Sequence, residues 1–269
     1  MPDLTVYTPP TAKRLVLSLL SAPNLDEITA RQFARWGALF GIDAATLRVA
    51  LGRMVRDDLV VTLRRGVYGI GPAGRSLSDK ARSWVSAEAR IGPWEGRWLL
   101  VHTAHLGRRN RTVLRTRERA LRLEGFAELE AGLWCRPANY REPTAATRER
   151  MLALGLEAQG LVLRADRILG TNSDPRQLWP VADLERRYHQ LVKAMDDSMR
   201  GIGDLGHDEA ARETFLLGEA VIRQINADPL LPDEMVDAAA RRAMHEMMLA
   251  YDAVGREAWS RFQAHADAA

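Results

Sequence analysis

Apolar positions along the first seventy residues change spacing twice, and the changes mark out elements. Within 12–20, Leu15, Val16, Leu19 and Leu20 fall at helical intervals, and Ala22-Pro23-Asn24 closes that helix. Thr29 and Gln32 have the spacing of a capping box, and the helix they open carries Phe33, Ala34 and Leu39 before stopping near Gly41. Asp43 is placed to cap a third helix over 44–57. On its wheel Leu47, Ala50, Leu51, Met54 and Val55 gather on one side. Thr46, Val49, Arg53 and Arg56 fall on the other, with Arg48 at the flank. The β-branched run Leu59–Leu63, the turn Arg64-Arg65-Gly66 and the return Val67–Ile70 then predict a hairpin with a basic tip.

Beyond it, 71–90 reads as a connecting helix with Leu77, Ala81, Trp84 and Val85 on one face, ended by Gly92-Pro93. Short apolar runs at 98–101, 133–136 and from 161 predict three strands, separated by helices at about 110–123 and 144–155. From Asp174 the pattern is helical, with further helices near 208–226 and 233–266. The expected fold is α+β and multidomain. A winged helix-turn-helix with its connecting helix would occupy 1–90, a ferredoxin-like α+β domain 91–172, and a helical domain 173–269.

Composition adds a charge asymmetry. Residues 1–140 carry 22 Lys and Arg against 13 Asp and Glu, whereas the remainder carries 16 against 22. A basic first half and an acidic second half suit a polyanion bound by the first half alone, or simply an uneven surface. Cys135 is the single cysteine, which excludes an internal disulfide and a thiolate zinc site and suits a reducing cytoplasm. Neither a signal peptide in the first ten residues nor a membrane span is expected.

Three helices and a basic hairpin carry a definite chemistry. A recognition helix needs an apolar face for docking and a face of small and hydrogen-bonding residues for base edges. Thr46, Arg48, Val49, Arg53 and Arg56 form the candidate reading face, and Arg64 and Arg65 the candidate phosphate contacts. Farther on, Arg108, Arg109, Arg111, Arg115, Arg117, Arg119 and Arg122 make a dense basic run, and Arg111, Arg115, Arg119 and Arg122 share one face. A second DNA contact, a site for coenzyme A phosphates and a solvated face paired with acids all account for it. Trp94, Trp98 and Trp134 read as core. Trp179 and Trp259 are candidates for lining an apolar ligand pocket.

Signals for catalysis are missing. No His-x-x-x-His pair, Gly-x-Ser-x-Gly elbow or phosphate-cradling glycine loop occurs, and His245-Glu246 lacks a second histidine. His102 and His105, three apart on a strand, are expected on opposite faces and so unable to share a metal. Neither a catalytic site, a metal nor a cofactor is therefore expected.

The stretches 48–55, 64–70, 94–101, 125–137 and 228–235 resemble the PaaX-like family of transcriptional regulators, the repressors of phenylacetate degradation. The likeness spans about residues 12–250. It implies a homodimeric repressor of a catabolic operon, bound to a palindromic double-stranded DNA operator and released by phenylacetyl-CoA or another acyl-CoA thioester. Arg48 and Arg53 stand where the family's recognition-helix arginines stand, and Arg65, Gly66 and Tyr68 match its wing. The middle domain is implied to be similar to a small ferredoxin-like CRISPR-associated nuclease fold, yet residues 98–106 hold no carboxylate for a metal. Where the family continues after Asp228–Pro232 with Trp-Pro-Gly, this chain has Met235-Val236-Asp237. Arg111, Arg115, Arg119, Arg122 and Trp179 are the residues offered for an effector. The contrasting expectation is an acyl-CoA-binding or partner-binding protein whose winged helix does not read DNA.

Overall fold

The computed structural model describes residues 8–22, 25–170 and 174–268, so Pro23 and Asn24 of the expected helix stop lie outside the described residues. The chain is of mixed α/β type, with two small antiparallel sheets and a helical C-terminal part. Packing groups it into two compact units, each built from separated stretches of sequence.

The first unit comprises the chain to Val85, Leu191–Arg223 and the segment from Glu246. It opens with α1 (Ala12–Leu20), whose N-cap Thr11 accepts the Arg14 N–H at 3.3 Å. The capping box at Thr29 is complete: the Gln32 N–H donates to Thr29 Oγ1 at 3.1 Å, and Gln32 Oε1 accepts the Thr29 N–H at 2.8 Å. It starts α2 (Ala30–Ala38). The turn into α3 (Ala44–Arg56) is tight, because a Cβ at Gly37 would lie 2.4 Å from Leu47 Cδ1. Glycine is what lets α2 approach α3.

Strands β2 (Val60–Arg64) and β3 (Val67–Ile70) form the expected hairpin. One feature was not legible in the spacing: Ile28–Thr29, β1, pairs with β3 and completes a sheet of order β1-β3-β2. The expected 71–90 helix is shorter. It forms α4 (Arg75–Arg82) and then breaks into 3-10 turns, which buries Trp84 but leaves Val85 half exposed. Leu15, Val16 and Leu19 of α1, Phe33 and Trp36 of α2, and Leu47, Leu51 and Met54 of α3 form one core. The same core takes in Ala211 and Leu216 of α8 (His207–Ala227) and Phe262 of α9 (Ala238–Ala268). Burying each such Leu, Val or Phe contributes about 1.5–3 kcal/mol.

The second unit comprises Ser86–Gln190 and Gln224–His245. Its strands are β4 (Trp98–His102), β5 (Ala127–Glu130), β6 (Leu133–Pro137) and β7 (Leu161–Ala165), antiparallel in the order β5-β6-β4-β7. Helix α5 (Arg111–Leu123) connects β4 to β5, and α6 (Thr144–Ala153) connects β6 to β7. The order is therefore β-α-β-β-α-β, one strand more than the apolar runs predict. The extra strand, β5, lies at a sheet edge and has the sequence Ala-Glu-Leu-Glu, so it carries too little apolar signal to stand out. Its core is Leu99, Val101, Ala120, Leu121, Phe126, Trp134, Met151 and Leu156. Helix α7 (Val181–Gly201) contributes Tyr188 here.

A buried polar cluster ties the second unit together. The Arg136 guanidinium is fully buried, lies 3.5 Å over the Tyr140 ring, donates to the Glu124 carbonyl, and reaches Asn139 Oδ1 at 2.9 Å. Asn139 Nδ2 in turn donates to the Leu230 carbonyl at 2.8 Å. Asp228 accepts the Leu230 N–H at 2.8 Å and the Tyr188 hydroxyl at 2.5 Å. Gly125, at φ +81°, sits where a Cβ would lie 2.6 Å from the Pro229 carbonyl oxygen and 2.9 Å from Arg136 Nη1. The segments 125–137 and 228–232 thus meet around one guanidinium. Helix α9 starts at Ala238 and not at 233, where the Asp237 carboxylate caps it by accepting the Ala240 N–H at 3.0 Å, and Arg241 Nη1 donates to the Leu231 carbonyl at 2.6 Å.

Candidate nucleic-acid interface

Helix α3 presents two chemically distinct faces. Leu47, Leu51 and Met54 are buried, and Ala50 and Val55 half-buried. Thr46, Arg48, Val49, Arg53 and Arg56 are all exposed, and Val49 is 55% exposed although apolar. Gly52 lies among them with open space where a side chain would stand. The face is therefore shallow at its centre and cationic around it.

Its N-terminal end is fixed by Asp43. The carboxylate accepts the Thr46 N–H and the Thr46 hydroxyl, each at 2.8 Å. The Thr46 backbone N–H is the main reason the Asp43 carboxyl is held below its ordinary range. Thr46 is thereby oriented by its cap, with its hydroxyl committed to Asp43.

Among the described residues, Arg48, Arg53, Arg56 and Arg65 enter no hydrogen bond or ion pair within the chain. Arg64 differs. Its Nη1 and Nη2 clasp Glu27 at 2.8 and 2.5 Å, and this hydrogen bond holds the Glu27 carboxyl below its usual range. Of the two hairpin arginines offered as phosphate contacts, Arg65 has its charge uncommitted and Arg64 has a bidentate partner. Beside Arg64 on the same strand, Leu63 is 52% exposed and Val61 37%.

The basic run in the second unit does not act as one surface. Arg117, named among the run's cations, is buried, with Nε 2.9 Å from Glu157 Oε2 and Nη2 2.5 Å from Oε1, so it anchors α5 to the loop after α6. Arg111, Arg115, Arg119 and Arg122 remain exposed. Arg122 meets Glu118 at 3.3 Å and lies 5.3 Å over the Trp134 ring.

Trp179 is 8% exposed, donates to the Gly125 carbonyl at 3.3 Å and stacks on Trp98 at 6.5 Å. Arg122 and Trp179 line one cleft of about 350 Å³, whereas Arg111, Arg115 and Arg119 do not. Of the two tryptophans expected as possible pocket linings, Trp259 belongs to the first unit and Trp179 to the second. Trp98 and Trp134 are core, and Trp94 is half-buried with its indole N–H on the Arg97 carbonyl at 2.6 Å.

One geometric expectation is corrected. His102 and His105 do not point to opposite faces: their rings stack at 5.1 Å with Nδ1 atoms 3.3 Å apart. Strand β4 ends at His102, and the turn closed by the Leu106 N–H on the Thr103 carbonyl folds His105 back. His105 Nε2 lies 2.9 Å from the Gln159 carbonyl. No group of three or more potential metal ligands occurs among the described residues. No described helix is long and apolar enough to cross a membrane.

No family model and no curated protein matches the chain. Among solved structures it is similar to the uncharacterized protein Rv0674 from Mycobacterium tuberculosis, at 24% identity and a TM-score of 0.55. The match covers 93% of this chain and 99% of that one. At that identity the likeness concerns the fold.

Proposed function

We propose that the chain is a DNA-binding transcriptional regulator. The observation that carries the reading is the solvent face of α3, where three arginines without intramolecular partners surround a shallow centre beside the basic hairpin. The element order of the first unit's N-terminal part, α1-β1-α2-α3-β2-β3 with sheet order β1-β3-β2, supports a winged helix in which α3 enters the major groove. The unpaired cations favour a polyanion, since a solvated face gains nothing from leaving so many charges unpaired beside a tip that repels them. The β-α-β-β-α-β order of the second unit supports its ferredoxin-like assignment.

In this reading the protein is a homodimeric repressor of a catabolic operon in the cytoplasm. An acyl-CoA thioester, of which phenylacetyl-CoA is the first to try, releases it from its operator. It performs no catalysis. The test is a gel-shift titration with the DNA upstream of its own and neighbouring genes. Arg53→Ala is expected to weaken binding by about 1–3 kcal/mol if Arg53 reads a base. Unchanged affinity in that variant would remove α3 as the reader.

A further inference from the structure

The first unit contains a cavity of about 390 Å³, a size typical of small-molecule sites. Its walls bring together α1, α2, the segment after α4, α8 and α9. Aromatic rings dominate them: Trp36, Trp84, Phe215, Tyr251 and Trp259. Trp36 and Trp259 meet edge-on at 5.8 Å, so the rings form a corner.

Two acids reach the wall, and both are neutralised. Glu219 accepts Arg14 Nε at 2.5 Å, Arg14 Nη2 at 2.8 Å and the Ser18 hydroxyl at 3.0 Å. Asp252 pairs with Arg256 at 2.8 Å. The site thus offers no net charge to an ionic ligand. It does offer hydrogen-bond donors, because neither the Trp36 nor the Trp259 indole N–H has an acceptor among the described residues. An accessible indole N–H with no protein acceptor, on a side chain that lines a cavity, can donate to an acceptor carried by a ligand.

We infer that this cavity binds an uncharged ring compound carrying a carbonyl oxygen. At about 30 Å³ for each water, the volume holds roughly a dozen water-sized groups, so the nucleotide of a coenzyme A thioester would stay outside. The cavity is also placed to be felt by α3. Leu19 and Trp36 line it and belong to the core that packs Leu47, Leu51 and Met54. A ligand that alters the seating of α1 and α2 therefore alters the platform under α3. This second half rests on the DNA-reading proposal, whereas the binding half does not.

The test is a titration of the full chain with 1-indanone, with indane and benzoate as comparison probes, read by tryptophan fluorescence and calorimetry. One saturable site per chain is expected for 1-indanone, with benzoate at least tenfold weaker. Gly218 faces the cavity, and a Cβ there would lie no closer than 3.7 Å to Met248 Cε, so Gly218→Leu fills the space. That variant is expected to lose at least tenfold in affinity with an unchanged circular dichroism spectrum. Trp259→Phe keeps the shape, and is expected to weaken 1-indanone several-fold while leaving indane unaffected. Absence of saturable 1-indanone binding, or equal binding by wild type and both variants, overturns the site. A gel shift with 1-indanone present separates the two halves. Ligand binding without any DNA binding sinks the DNA reading and leaves the site standing. Binding of both without mutual effect overturns the coupling.

Discussion

Replacing Gly125 with alanine puts the buried cluster of the second unit to a sharp test. Two costs arise there. The first is conformational: at φ +81° an L-residue pays about 1–2 kcal/mol that glycine does not. The second is steric, because the new Cβ would lie 2.6 Å from the Pro229 carbonyl oxygen and 2.9 Å from Arg136 Nη1. Neither neighbour can give way. The carbonyl is backbone, and the guanidinium is fully buried and held by Glu124 and Asn139. Overpacking of this kind adds about 1–3 kcal/mol, giving a total of about 2–5 kcal/mol.

Gly96 supplies the control. It has φ +79°, but no atom lies within 4 Å of where its Cβ would stand. Gly96→Ala should therefore lose only the conformational part, about 1 kcal/mol. Urea unfolding followed by tryptophan fluorescence gives both midpoints. If the two variants unfold within 0.5 kcal/mol of each other, roughly the scatter of ordinary surface changes, the close packing of 125–137 against 228–232 is not what holds this unit.

Other expectations are simpler to state. Arg65→Ala should lower the slope of log affinity against log salt by about one phosphate contact and weaken all sequences alike, whereas Arg64→Ala should do so less, because Arg64 already spends its charge on Glu27. The Cys135 thiol, buried in β6 and pushed up to about 12 by burial, should resist iodoacetamide at pH 8 in the native protein and react in urea. Glu157 is held below its ordinary value of 4.5 by its hydrogen bond from Arg117. A depressed carboxylate stabilises above the unfolded value and loses that contribution as pH falls through the folded one. Glu157→Gln should cost about 1–3 kcal/mol at pH 7 and flatten the loss of stability below pH 4.5, as measured by urea midpoints across pH.

The sequence was most informative where spacing and capping chemistry agree. Thr29 with Gln32, and Asp43 before Thr46, announce helix starts that the structure places at Ala30 and Ala44. The faces of α3 followed directly from its period. Elements held by partners far along the chain were not legible. The two residues of β1 have no pattern of their own and are strand only because β3 lies beside them. The pairing of Arg117 with Glu157 turns one member of an apparent basic stripe into an internal anchor, and nothing in the local sequence marks which arginine it will be. The cavity wall was partly legible through Trp259, but its other tryptophans lie more than 170 residues away in sequence. Three successive domains are a natural division of a linear string, whereas packing joins the chain's start to two later segments.

That interleaving has a consequence for how the protein is made. The core under α3 includes Phe262, about 200 residues after the end of that helix. Helices α1 to α3 emerge early, but the roughly 200 residues from there to Phe262 take on the order of 10–40 s at ordinary synthesis rates. During that interval Trp36 and Phe40 await Trp259 and Phe215, the rings they pack against in the finished fold. The segment with the most direct claim to function is thus complete in sequence long before it is complete in structure, and during translation it depends on whatever shields nascent apolar surface.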